Sequence, residues 1–350
     1  MSVTVTEKRV ETPFGEVSLF TLMNGRGASV QLSSLGAGVL AVNVPDATGK
    51  IENVCLSYAD PASYMSDGPC LGKVPGRYAN RIAGGRLTVD GKTYQLAVNN
   101  GPNALHGGPT GFQNHIWEAE EIPGGVRFTL HSPDGDEHYP GNLTATAEYT
   151  WNDDDELTLR LMAETDAETV VNLTNHSYWN LDGADSGSVL KHRMRLRSHR
   201  YIPTDDTLIP TGEKVPVEGT PMDFTEFKEL GRDIEADFPA LKYGKGYDAG
   251  WLLDEWEPGR LIEDAVEIVA PRSGRRLLID SDQPAAHVYT GNWLAGCPEN
   301  RSGRSYEDYD GVAVEMQGVP DAPNQTVFPS QFLAPGEKYS RIIRFKFRPE

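Results

Sequence analysis

Two residues of this chain combine a reactive side chain with unusual surroundings. His176 lies in Asn172-Leu173-Thr174-Asn175-His176-Ser177-Tyr178-Trp179-Asn180-Leu181, among amides and hydroxyls and just ahead of two aromatic rings. A general acid or base works best with a pKa near neutrality, and imidazole is the side chain that starts there. Glu315 follows the apolar Gly311-Val312-Ala313-Val314 and opens the Gly/Pro-rich Glu315-Met316-Gln317-Gly318-Val319-Pro320-Asp321-Ala322-Pro323-Asn324-Gln325. That spacing puts a carboxylate at a strand end, pointing inward, where it is costly unless paired or used. Both have plainer readings when taken singly. His176 could be satisfied by its Asn neighbours in a polar core, and Glu315 could form a salt bridge to an arginine such as Arg81.

Two further segments carry polar and Gly residues that a plain strand or turn would not need: Gly76-Arg77-Tyr78-Ala79-Asn80-Arg81-Ile82, and Asn99-Asn100-Gly101-Pro102-Asn103-Ala104-Leu105-His106-Gly107-Gly108. His106 by itself reads as a loop residue in a Gly-rich turn. His106, His176 and Glu315 could together hold zinc, but no close His spacing of the H-x-H or H-x-x-x-H kind supports a metal site, and none is expected. Aromatic rings beside amides and carboxylates are the materials of a sugar site, since pyranose faces pack on indole or phenol while Asn, Asp, Arg and His bind hydroxyls. Trp179, Tyr247 with Asp248, and Trp293 supply that mixture, although core packing is the better reading of Trp293.

The elements that would position these residues are strands. In Arg341-Ile342-Ile343-Arg344-Phe345-Lys346-Phe347-Arg348, Ile343, Phe345 and Phe347 share one face and the cationic residues the other. Asp90-Gly91, Gly124-Gly125 and Ser273-Gly274 each separate two alternating runs, as hairpin turns do. The acidic Asn152-Asp153-Asp154-Asp155-Glu156 also lies between alternating runs, so a solvated turn is favoured over a calcium loop. Helix signals are limited to short stretches near Asp60–Ser66 and Thr225–Ile234. With 36 Gly and 24 Pro, no linker and no repeat, residues 1–350 read as one large antiparallel all-β domain, a sandwich or barrel.

Composition narrows the partners. Hydrophobic residues at 38% and charged residues at 24% suit a packed core. A net charge of −19 repels phosphate backbones and anionic lipid, so no nucleic-acid or membrane partner is expected, and a neutral small molecule is easier to accept than a phosphorylated one. No signal peptide or membrane-spanning run is evident, and the cytoplasm is the expected compartment. Cys55, Cys70 and Cys297 are odd in number and far apart, which suits buried thiols rather than disulfides or a zinc knuckle.

At these residues the sequence resembles the aldose 1-epimerase (galactose mutarotase) family over nearly its whole length. The motifs in order are GRYANRI, NALHGG, NLTNHSYWNL, LIPTGE followed by TPMDF, Tyr247-Asp248, YTGN and EMQGVPDAPNQ. The resemblance implies a galactose-mutarotase-like antiparallel β-supersandwich. It also implies His176 as general acid and Glu315 as general base, with Arg81, His106 and Asp248 as sugar ligands and Asn80 and Tyr178 as further binding residues. The implied reaction opens the hemiacetal ring of a free aldose such as glucose or galactose and recloses it on the other face, without cofactor. Glu315 as a neighbour is expected to raise the pKa of His176.

The chain departs from the family pattern at three places. His287 stands where Gln is frequent, so that position is expected to contact substrate. Ala249 and Gly250 replace polar residues after Asp248, and Gly318 replaces a bulkier one. These leave the sugar preference open. A hexose-phosphate epimerase or glycoside hydrolase would call for extra cations or a second flanking carboxylate. A binding protein without turnover would not need both His176 and Glu315. A monomer or homodimer fits equally.

Overall fold

In the computed structural model, which describes residues 3–349, the chain builds three main antiparallel sheets. The first, of five strands, runs in chain order: Thr4–Thr12, Gly15–Met23, Ser29–Ser33, Gly38–Pro45 and Ile51–Asn53. The second has nine strands, with Leu143–Trp151, Glu156–Thr165, Tyr339–Pro349, Arg275–Ser281 and Ile262–Val269 adjacent at its centre. The third has six, in the order Tyr178–Trp179, Val312–Gln317, Ala285–Tyr289, Asp248–Leu252, Arg200–Ile202 and Val215–Pro216. The fold is the all-β supersandwich that the sequence implies.

Side-chain alternation explains how the sheets stack. In Tyr339–Pro349, Ile343, Phe345 and Phe347 are buried while the intervening Arg344, Lys346 and Arg348 are only half-buried. Phe345 and Phe347 meet Trp179 of the six-stranded sheet, with ring centroids 5.2 and 5.4 Å away. The same apolar cluster takes in Trp251, Val288, Val314 and Met316 of the six-stranded sheet and Leu32 and Val42 of the first sheet. One core therefore joins all three.

Both faces of the six-stranded sheet are covered, which is why Val312–Gln317 is buried throughout. Directly opposed residues in antiparallel strands point to the same side. On the side away from the core, Tyr178, Ala313, Tyr289 and Asp248 form one cross-strand row, and Glu315, His287 and Gly250 form the next. Glu315 is accordingly an interior strand residue, not a terminal one as its Gly/Pro-rich sequel suggests. Pairing with Ala285–Tyr289 carries the strand on to Gln317.

The Asp90-Gly91 hairpin forms with both residues at positive φ, 46° and 72°, and the Ser273-Gly274 turn joins Ile262–Val269 to Arg275–Ser281. The Gly124-Gly125 turn is displaced by one residue: Gly125 pairs with Ile122, leaving Pro123-Gly124 as the turn. The acidic run is the expected hairpin connection, with Asp155 turned inward to Asn24 and Arg26.

Helix is sparse, and one expectation fails. Pro61–Tyr64 is a single 3-10 turn capped by Asp60. Thr225–Ile234 is not helical, because Lys228 and Glu229 pair as a strand with Met194 and Arg193 and the Lys228 ammonium is tied to the Pro221 carbonyl and Asp233. The α-helix lies further on, at Pro239–Gly244, started by its proline. Among the described residues no helix is long and apolar enough to cross a membrane.

Candidate active site

A cleft of about 410 Å³ opens over the outer side of the six-stranded sheet, lined by Asn80, Arg81, Asn100, His106, His176, Tyr178, Asp248, Tyr289, Trp293 and Glu315 among others. Three long-range contacts assemble it. Residues 72–79 run beside 172–176, where the Gly72 amide donates to the His176 carbonyl and the His176 amide to the Lys73 carbonyl, each at 2.9 Å. Gly107, at φ +79°, lies so close to this segment that a β-carbon there would be 2.0 Å from the Gly76 oxygen. Only glycine permits that approach, and it brings the His106 loop over the cleft. Asn80 and His106 both adopt positive φ, at 65° and 51°, a cost that tertiary contacts must offset and that is common where function fixes geometry.

His176 and Glu315 meet on the cleft floor, with Nε2 3.4 Å from Oε1 and exposures of only 4% and 2%. The plainer readings of both fail. Asn175 turns its amide away to the Gly72 carbonyl and Tyr149, so it does not satisfy His176. Arg81 binds Asn100 at 3.0 Å and approaches Asp248 at 3.9 Å, leaving His176 as the ionisable partner of Glu315.

Electrostatics differ from expectation at this pair. Burial pushes His176 down to about 4 rather than up, outweighing a hydrogen bond to its own backbone and the charge of Asp248, which act in the opposite direction. Burial and the nearby Asp248 push Glu315 well above the ordinary carboxylate range, against the pull of Arg81. Desolvation disfavours either charge, so it dominates the attraction that proximity offers.

His106 has its protonation pattern set by the backbone. Its Nδ1 accepts the Asn80 amide at 3.1 Å, so in the neutral ring Nε2 carries the hydrogen and serves as a donor. Burial, followed by the neighbouring His176 and Arg81, holds it well below its usual pKa, hence neutral. His106, His176 and Glu315 bring ligand atoms within 4.8 Å of one another. A cation would require His106 Nε2 to lose that hydrogen, however, and metal-bound imidazole normally donates from its other nitrogen rather than accepting there. The donor set fits hydroxyl recognition better than metal.

Asp248 completes the polar lining. Burial alone would raise its pKa, but the His287 hydrogen bond at 2.7 Å and Arg81 bring it down to about 2, so it is a carboxylate. His287 itself does not line the cleft; it stands behind Asp248, so the substrate contact expected at that position is replaced by a contact to a lining residue. Tyr178 lines the wall, with its hydroxyl on the Pro69 carbonyl and its ring 5.0 Å from that of His176.

The aromatic expectations sort differently. Trp179 and Tyr247 are fully buried and do not line the cleft. Trp293 is not core: it is 64% exposed on the rim, with the Lys245 ammonium 4.4 Å over its ring. Tyr289, Asn100 and Leu208 also line the site; they lie in the YTGN, Asn99–Gly108 and LIPTGE segments, but the motifs assign none of them a role of its own. The alternation that places Tyr289 beside Asp248 could have identified it, whereas Leu208, although it opens the LIPTGE motif, carries no polar group to mark it as a lining residue.

A concave site of mixed polar and apolar lining over an imidazole–carboxylate pair suits proton exchange on a small polyhydroxylated molecule. The chain belongs to the aldose 1-epimerase family, whose model matches residues 18–346, and is therefore an isomerase. It is 40% identical to galactose mutarotase of Rattus norvegicus, covering 95% of this chain and 94% of that one. Identity to the aldose 1-epimerase of Escherichia coli K12 is 37%, with 95% of each chain covered. The structure of an aldose epimerase homologue from C. elegans superposes with a TM-score of 0.86 at 28% identity, over 98% of this chain and 99% of that one.

Proposed function

We propose that the protein is a mutarotase that interconverts the α and β anomers of a free aldose such as galactose or glucose, with His176 and Glu315 exchanging protons with the substrate. The observation that carries this reading is the 3.4 Å approach of His176 Nε2 to Glu315 Oε1 on the floor of the cleft. Glu315 takes the proton of the anomeric hydroxyl as the bond from C1 to the ring oxygen breaks. The electron pair goes to the ring oxygen, which takes the proton of His176 Nε2. Rotation about C1–C2 presents the other face of the aldehyde. Reclosure returns each proton to its donor, so nothing is consumed.

Burial assists the middle of this sequence. With the ring open, Glu315 holds the proton and His176 is neutral, the arrangement desolvation favours. The closed-ring complex needs the charged form, which Arg81 supports through its pull on Glu315. Arg81, His106 and Asp248 would bind sugar hydroxyls as donor, donor and acceptor respectively, with Asn80 and Tyr178 shaping the wall.

The lining supports a neutral sugar over a phosphorylated one. Its cation, Arg81, is engaged by Asn100 and faces Asp248, and Lys245 at the rim is paired with Asp308. We assign the protein to the cytoplasm as a monomer or homodimer of one domain. Three free cysteines, two of them buried, support a reducing compartment, and the single core shared by the three sheets supports the domain assignment.

The test is polarimetry of freshly dissolved α-D-galactose and α-D-glucose. The protein should accelerate the decay of optical rotation, and Glu315→Gln should lower kcat by about 10³-fold or more while sugar binding persists. Sugar binding without acceleration by the native protein would leave a carbohydrate-binding protein instead.

A further inference from the structure

His287 has a position that its role behind Asp248 does not at first explain. It is the cross-strand partner of Glu315 on one side and of Gly250 on the other. A side chain placed there could reach the cleft floor, yet the imidazole turns to Asp248. Nε2 donates to Asp248 Oδ1 at 2.7 Å, since a carboxylate only accepts. Nδ1 is buried and has no partner among the described residues, so the ring makes one directed polar contact.

Gly250 makes the room. A β-carbon at that position would sit 3.3 Å from Ile202 Cδ1 and 3.7 Å from His287 Nδ1, and anything larger would press on the ring. Gly250 and His287 therefore act as one feature, joined by strand register although far apart in sequence.

The consequence falls on Asp248. Its Oδ1 is engaged by His287, while Oδ2 stands 3.9 Å from Arg81 Nη2, too far for a hydrogen bond. Both atoms belong to lining residues. A substrate hydroxyl can bridge such a gap, accepting from the guanidinium and donating to the carboxylate. Without the His287 contact, Asp248 could rotate onto Arg81 and satisfy both charges internally, in competition with that hydroxyl.

We propose that His287, with Gly250, is a positioning residue that holds Asp248 apart from Arg81 and thereby sets how tightly, and with what preference, the site grips the sugar hydroxyl placed between them. The inference rests on the mutarotase reading. It assigns His287 no proton transfer, so its effect belongs to binding.

The experiment measures KM and kcat for galactose and glucose in the native protein and in His287→Ala, His287→Gln, His287→Phe, Asp248→Asn and the Asp248→Asn/His287→Ala double variant. Loss of one charge-assisted hydrogen bond should raise KM about ten-fold in H287A with kcat within about two-fold. H287Q, which keeps an N–H donor, should return KM to within about three-fold of native, whereas a role in packing alone would not be rescued this way. H287F fills the ring volume without a donor and should match H287A, so the test survives if H287A does not fold. Because His287 acts through Asp248, adding H287A to D248N should change KM by less than about two-fold.

An unchanged KM in H287A and H287F, a fall in kcat at constant KM, absence of rescue by Gln, or multiplied effects in the double variant would each overturn the proposal. No acceleration of mutarotation by the native protein would instead remove the functional reading beneath it.

Discussion

His176 and Glu315 stand 3.4 Å apart, close enough to titrate as a unit. Burial lowers the histidine to about 4 and raises the glutamate, so the singly protonated pair spans the intervening range. A second proton is taken up only as pH falls through about 4, where the base is lost. We therefore expect kcat/KM to fall as pH drops through about 4 and, on the alkaline side, only as pH rises past the elevated pKa of Glu315. An independent imidazolium acid of ordinary pKa would give the opposite slope, losing activity as pH rises through roughly 6.5. Constant kcat/KM as pH falls through about 4 would remove the shared-proton account. Other residues show why type alone is a weak guide. Trp293 reads as core and Trp179 as site material in sequence, but Trp179 packs on Phe345 and Phe347 while Trp293 stands exposed at the rim.

At the scale of elements, the segment that brackets His176 depends on a buried ion pair that no motif announces. Lys73, whose carbonyl accepts the His176 amide, has a fully buried side chain paired with Asp67, and its ammonium also donates to the Tyr64 carbonyl at 2.5 Å and to Asn114 at 3.2 Å. Asp67 is held in turn by the Tyr58 hydroxyl at 3.1 Å and the Leu71 amide at 2.8 Å. Asp67→Ala would strand an ammonium in the interior and should cost about 3–5 kcal/mol in urea unfolding, with activity falling as the His176 segment loosens. Replacing both partners, as Asp67→Leu with Lys73→Met, should recover most of that stability. A loss below about 1 kcal/mol in the single variant would show that the pair does not brace the segment. In the sequence, Asp67 and Lys73 are unremarkable loop residues. Their burial follows from packing against Tyr58, Tyr64 and Asn114.

Over the whole molecule, the charge of −19 sets what approaches the cleft rather than what happens inside it. A neutral aldose feels little of that field, so kcat/KM for galactose should vary by less than about two-fold between low and moderate salt. A hexose 6-phosphate should be the poorer substrate by about ten-fold or more, with the gap narrowing as salt screens the repulsion. Rates that favour the phosphorylated sugar would contradict the neutral-sugar assignment. The architecture itself was legible because the alternation in Tyr339–Pro349 and the hairpin turns are local signals with period two. Thr225–Ile234 misled because tertiary pairing of Lys228 and Glu229 overrode a weak local preference.

By itself the sequence determined the strand-rich fold and the family, and it marked His176, Glu315, Arg81, His106 and Asp248, all of which line the cleft, since ordered motifs and alternation reside in neighbouring residues. The tertiary structure decided what those residues do to one another. Burial reversed the expected shift of His176, strand register joined Gly250 to His287, and the loop carrying His106 took its place only through the close approach of Gly107 to Gly76. Desolvation and register depend on residues distant in the chain, and no local pattern encodes them.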